Sequence, residues 1–274
     1  MLTLSHDTPI AYESHGAGEP ALVLLPDWGV PRRIFAPLIE PAARRRRVIA
    51  LDWRGHGESG RAAADFVHGE LADDAQAVLA AGGVDAVVLV AHGQAGWPAA
   101  ELRRRLGERV AGIVLIDWQM FPAHPPLLAR LRDLGDAKKW RRTLDEMIDE
   151  WFAGLDDRRL GRVMGDMRFR GPGLWAQAAR AIAASYAGGR SPLQELAAID
   201  PPPVLHLVAG VADDDDLDTL RIFADLHPWF DVERVAERGH LPMFAAPELL
   251  AAAIERFVTR LPVNVERGAL EDTV

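Results

Sequence analysis

The stretch VVLVAHGQAGWPAAEL, residues 87–102, passes from an apolar, β-branched run through a cluster of small residues into a helical pattern. A strand that turns straight into a helix brings the two backbones close together. The positions two before and two after the centre of the turn must therefore be small. Ala91 and Ala95 meet that demand and put Gly93 at the centre. Centring the turn on Gln94 would make His92 the small neighbour, a much worse fit. Turns of this shape commonly present a Ser, Cys or Asp nucleophile, and neither Gly93 nor Gln94 is one. The turn is built without its reactive side chain.

Similar apolar runs lie on both sides of it: ALVLLPDWG (21–29), RVIALDWRGHG (47–57), RVAGIVLIDW (109–118) and PVLHLVAG (203–210), with DVERVAERGH (231–240) a weaker member. They lack polar alternation, as strands buried on both faces of a parallel sheet do. Helical patterns separate them: RRIFAPLIEPAA, FVHGELADDAQAVLAAGG, PAAELRRRLG and PELLAAAIERFVTRL. Alternating strands and helices predict an α/β fold with a doubly wound, mostly parallel central sheet. The first twenty residues read as a hairpin at one edge, with its turn at HGAGEP. From 121 to 196, entered through FPAHPP, the pattern is helical throughout and rich in Trp, Met and Arg. The expected organisation is a core of 1–120 and 197–262, an inserted helical cap of 121–196 and a loose polar tail of 263–274.

The composition narrows the function classes. Of 274 residues, 49% are hydrophobic and 26% charged, and the net charge is −9, which argues against nucleic-acid and anionic-membrane partners. The basic run ARRRR (43–47) reads as a solvated helix end. The chain has no cysteine, so disulfides, thiolate catalysis and Cys-ligated metal are excluded, and a reducing cytoplasm fits. Neither a signal peptide nor an apolar run of membrane-spanning length is visible. The histidines lack the spacing of a helical ligand pair, and the DDDD run (213–216) lacks the glycine and glutamate of a calcium loop, so no metal site is predicted.

In an open α/β sheet, ligands bind beyond the carboxyl ends of the strands. The residues there are Asp27–Trp28–Gly29, the HGQAG turn, Asp117–Met120 and, late in the chain, RGHLP with His240. His240 is the candidate base, and an imidazole base needs an acid to fix its tautomer and steady its cation. Asp117 is preferred over Asp213–Asp216, because an acid on an otherwise apolar run is more unusual than one in a run of four aspartates. His92 is a possible site-lining residue, His56 belongs to the GHG turn, and His206 sits within a strand as a core candidate.

The ordered set LLPDWG, VIALDWRGHGES, AHGQAGW, IVLIDWQM, DEWFAG, GGRSPLQEL, FADLHPWF and RGHLP resembles the cofactor-independent 2,4-dioxygenases of 3-hydroxy-4-oxoquinolines and quinaldines, over roughly residues 20–260. The resemblance implies an α/β-hydrolase fold with an inserted helical cap. It also implies a reaction with O2 as co-substrate and no metal or flavin. By position, His240 becomes the general base for the substrate's 3-hydroxyl and Asp117 its partner. The substrate anion then reacts with O2, and a cyclic peroxide collapses to carbon monoxide and an N-acylanthranilate. Trp28 and Trp151 match residues that line or hold the aromatic substrate, and His92, Gly93 and Gln94 fall at the elbow beside it. Two departures stand out. The family carries Ser–His where this chain has Gly93–Gln94, and a polar residue where it has Val30. Backbone amides near Trp28 and Gln94 remain available as an oxyanion pocket, since they need no side chain.

The expected function is thus a cofactor-free, ring-cleaving dioxygenase for a small N-heteroaromatic substrate, cytoplasmic, acting as a monomer or weak dimer. The alternatives are a lyase or hydrolase using the same His–Asp pair without a serine, or a ligand-binding homologue without catalysis. Oxygen consumption separates the first from both.

Overall fold

Four runs that lack polar alternation are fully buried strands: β3 (Ala21–Leu25), β4 (Val48–Leu51), β5 (Val87–His92) and β7 (Val204–Val208). A computed structural model describes residues 1–62, 65–209, 214–235 and 241–262. The remaining strands are β1 (Leu2–Ser5), β2 (Thr8–His15), β6 (Val110–Ile116) and β8 (Phe230–Arg234). All eight form one sheet in the order β1-β2-β4-β3-β5-β6-β7-β8. β1, β2 and β4 pair antiparallel; every other pair is parallel.

The order reverses at β3. From β3 the chain crosses to β4 through α1 (Ala36–Ala43), then returns through α2 (His68–Gly82) to β5 on the other side of β3. Right-handed crossovers in opposite directions put α1 and α2 on opposite faces of the sheet. α3 (Gly96–Leu106) continues in the same direction and packs on α2, while α11 (Pro247–Arg260) packs on α1. The carboxyl ends of β3 and β5 therefore part at a crevice, the place where open α/β sheets bind ligands.

Between β6 and β7 come five helices: α4 (Pro125–Leu134), α5 (Trp140–Trp151), α6 (Leu160–Phe169), α7 (Pro172–Ser185) and α8 (Pro192–Ala197). After β7 lie α9 (Asp214–Leu226), β8, α10 (Pro242–Ala245) and α11. The expected tail, 263–274, lies outside the described residues.

The edge hairpin is present, but its turn is not at HGAGEP. β1 and β2 are joined at His6–Asp7, with Ser5 paired to Thr8 and His6 at φ 51°. A two-residue hairpin loop needs positive φ, and His6 adopts it without a glycine to mark the place. HGAGEP instead carries the chain from β2 to β3. The basic run 43–47 is paired at the surface: Arg44 meets Glu40 and Glu248, and Arg46 meets Glu255. No helix of the described residues is long and apolar enough to cross a membrane.

Candidate active site

The loops after β3 and β4 are pinned to each other. Gly29 N–H donates to His56 Nε2 (2.8 Å), which leaves the ring proton on Nδ1 to donate to the Arg54 carbonyl (2.8 Å). His56 is fully buried, and burial lowers its pKa to about 4, so it stays a neutral spacer with one tautomer. The Trp53 indole adds a bond to the Pro26 carbonyl (2.6 Å). Arg32 and the Arg32 and Glu58 amides surround the buried Asp52 carboxylate. These contacts fix the strand end that carries Asp27 and Trp28.

Asp27 turns its carboxyl back onto the elbow. Its Oδ1 accepts from Trp28 N–H (2.7 Å) and from Gln94 N–H (3.1 Å). The two amides expected to form an open oxyanion pocket do converge, but on this carboxyl. Gly93, at φ 53°, is what makes room: a Cβ there would lie 2.7 Å from Asp27 Cγ and closer still to Oδ2. Burial raises the Asp27 pKa to about 7, against the lowering effect of the two amides and with a further push from the Asp117 charge.

Asp117 ends β6 in a left-handed conformation (φ 51°), its N–H still bonded to the Leu207 carbonyl of β7 (3.0 Å). It is half-buried, while Asp214, Asp215 and Asp216 are exposed; Asp213 lies outside the described residues. The next residue, Trp118, is buried against the elbow, its indole filling the space where Gly96 would carry a Cβ. Tyr186, just past α7, donates its hydroxyl to the Gln119 carbonyl (3.2 Å), and burial pushes its pKa up to about 12.

These residues face a cavity of about 530 Å³. Asp27, Trp28, Gln94, Asp117 and Trp118 form its sheet-end wall, and His206 and Val208 of β7 extend it. The rest of the lining is mostly apolar, from Leu127, Leu131 and Leu134 of α4, Met147 and Trp151 of α5, and Trp175 and Ile182 of α7, joined by His124, the Arg130–Glu150 ion pair and Asp216 of α9. Trp28 stacks on Phe66 (centroids 5.3 Å apart, planes 13°), which holds its ring flat. A larger open cleft of about 1140 Å³ lies elsewhere, bordered by Arg32, Arg33, Glu40, Arg44, Arg158 and Arg162, and holds none of these strand-end groups.

The structure thus brings Asp117, Trp28, Gln94 and Trp151 to one cavity. It does not bring His92 or Gly93 to its wall. His92 is buried and set edge-on to Phe35 (6.5 Å), because the end of β5 points it into the core. Gly93 has no side chain and is covered by Asp27. His240 lies outside the described residues. Val30 is buried in the core, away from the cavity lining. Several lining residues carry no site assignment from the sequence, Asp27 and His206 among them, with His124, Arg130 and Glu150. Asp27 shows the same signal as Asp117, an acid directly after an apolar run. His206 was read as core, yet it lines the cavity; burial lowers its pKa to about 4, partly offset by Asp117 and the Trp118 backbone. Among the described residues, no group of three or more His, Asp or Glu could hold a metal ion.

Residues 22–253 match the alpha/beta hydrolase family. The chain is similar to a 2-heptyl-3-hydroxy-4-quinolone dioxygenase of Rhodococcus erythropolis, 33% identical over 255 residues, covering 91% of this chain and 94% of the relative. It is also similar to the 1H-3-hydroxy-4-oxoquinoline 2,4-dioxygenase of Pseudomonas putida, 28% identical over 249 residues, with 90% and 94% covered. Among solved structures, a variant of an enzyme that cleaves the ring of the Pseudomonas quinolone signal, bound to its substrate, matches with a TM-score of 0.88. That match has 28% identity and covers 94% of this chain and 99% of the other.

Proposed function

Because the chain belongs to the α/β-hydrolase-fold 2,4-dioxygenases of 3-hydroxy-4-quinolones, we propose that it opens the heterocyclic ring of such a quinolone with O2, releasing carbon monoxide and an N-acylanthranilate. One observation carries the reading to the residues: Asp117, at the carboxyl end of β6, faces an indole-rich cavity beside an elbow that has no nucleophile.

In this reading His240 removes the proton of the 3-hydroxyl, and Asp117 orients its imidazole and steadies the cation. Proton transfer of this kind contributes roughly 10²–10⁴-fold. The resulting anion is electron-rich enough to react with O2 itself, without metal or flavin. Two oxygen atoms end on ring carbons 2 and 4, and the carbon between them leaves as carbon monoxide, so every atom of substrate and O2 is accounted for. Trp28 and Trp151 supply flat faces for the bicyclic ring. Leu127, Leu131, Leu134 and Met147 suit an alkyl substituent on it. Helices α4 to α7 act as the cap that keeps water from the anion. The hydrolase alternative loses ground at Gly93, because the space for a nucleophilic side chain holds the Asp27 carboxyl. We place the enzyme in the cytoplasm, as a monomer or weak dimer.

The test is to mix the protein with 2-alkyl-3-hydroxy-4-quinolones under air and follow O2 uptake and carbon monoxide release. Stoichiometric uptake and release are expected, and loss of both in His240→Ala with ligand binding retained. Recovery of unaltered quinolone, or near-normal turnover in His240→Ala, overturns the reading.

A further inference from the structure

Asp27 has no part in the mechanism above, yet it occupies the most constrained position in the site. Both inward-facing amides, of Trp28 and Gln94, are spent on its Oδ1. Gly93 is stripped of its side chain where Oδ2 lies. Asp27 is among the residues that line the cavity. A ligand oxygen approaching this wall therefore meets the carboxyl and not the amides. An ionised carboxylate would repel a carbonyl oxygen or an enolate there; a neutral carboxylic acid would donate to it.

Resting on the ring-cleavage reading, we propose that Asp27 is a substrate-contacting acid whose neutral carboxyl donates a hydrogen bond from Oδ2 to the exocyclic carbonyl oxygen of the heterocycle, in place of the amides it covers. The two N–H bonds to Oδ1 leave Oδ2 as the oxygen to carry the proton. The surroundings agree. Burial raises the Asp27 pKa to about 7, and the second carboxylate on this wall, Asp117 at the end of β6, raises it further. His206 of β7 is lowered to about 4, and the Tyr186 hydroxyl beyond α7 is pushed up to about 12. His124 at the start of α4, Arg130 of α4, Glu150 of α5 and Asp216 of α9 also line the cavity, and Asp27→Asn leaves them and the proposed base His240 unchanged. The acid that holds a substrate carbonyl is then distinct from the His–Asp pair that takes the hydroxyl proton.

The experiment is anaerobic binding of a 2-alkyl-4-quinolone lacking the 3-hydroxyl, a ligand that keeps the carbonyl and has no proton to give up. Affinity is measured at pH 6 and pH 8 for the native protein and Asp27→Asn. With a group titrating at about 7, native affinity is expected to fall about tenfold between these values. The Asn amide donates without titrating, so the variant should bind within about threefold of native at pH 6 and stay flat. An equal fall in both proteins, or none in either, overturns the role of Asp27 and leaves ring cleavage standing. Failure of the native protein to bind this ligand at either pH overturns the role of Asp27, while O2 uptake with the 3-hydroxy compound decides ring cleavage independently. Should Asp27→Asn not fold, infrared difference spectra of the native protein decide. A carboxylic-acid carbonyl band that vanishes on titration near pH 7 and shifts with bound quinolone supports the proposal, and its absence overturns it.

Discussion

The carboxyl of Asp27 and a Cβ on residue 93 claim the same space. Gly93 is needed twice over, for that clearance and for its positive φ. Gly93→Ala is therefore expected to destabilise the fold by ~1–3 kcal/mol from overpacking, with ~1 kcal/mol more from the left-handed backbone. Pairing it with Asp27→Gly should recover the first part and not the second. Urea unfolding of both single variants and the double variant checks this, and strictly additive effects would refute the shared space.

Asp117→Asn should lower kcat by about 10²-fold or more while leaving quinolone affinity within a few-fold. It removes the charge that steadies the imidazolium and keeps the shape. Initial O2-uptake rates, set beside anaerobic binding, measure the two effects separately. A kcat within twofold of native would remove Asp117 from the chemistry.

Trp151→Ala should act mainly on KM, raising it about tenfold, since the indole offers contact area and no proton chemistry. Its place at the end of α5, on the wall opposite the strand ends, keeps it clear of the sheet core. A loss confined to kcat would show that Trp151 acts on the reacting atoms.

The pH dependence of stability has two opposing sources. His56, His68 and His206 are each lowered to about 4 by burial, so the unfolded chain binds their protons first. Their contribution is present above about pH 6.5 and lost as pH falls toward 4. Asp27 is raised to about 7, so it works the other way: its contribution, at most ~4 kcal/mol, is present below about pH 4 and lost as pH rises through 7. Three groups outweigh one, and stability should rise between about pH 4 and 6.5. Asp27→Asn should steepen that rise and stabilise the protein at pH 8. Urea midpoints across the range test both signs.

The sheet was legible because its strands announce themselves locally: β3 and β5 are unbroken apolar runs, and Asp117 stands out as an acid ending another. The hairpin turn was misplaced because HGAGEP carries the glycines, whereas His6 makes the real turn without one. The role of Asp27 was hidden for a different reason. Its carboxyl reaches Gln94 only because β3 and β5 are neighbours in the sheet, 67 residues apart along the chain at that bond. The same holds for His206, whose position beside β6 brings it to the cavity from what reads as a core strand. His92 lies off the cavity lining and edge-on to Phe35, because the orientation of a strand's last residue depends on how the turn after it begins.

The indole of Trp118, seated within 2.5 Å of where Gly96 would bear a Cβ, couples the start of α3 to the end of β6. The two cannot slide independently, so the wall bearing Asp117 and Gln94 is a fixed jaw. Admission of a bulky ligand then falls to α4 and α5, because α7 is itself held to the sheet end by the Trp175 ring over Gly29 and by the Gln177 bond to the Phe66 carbonyl. Amide exchange should register that division, with residues 94–98 and 117–120 opening together and later than α4.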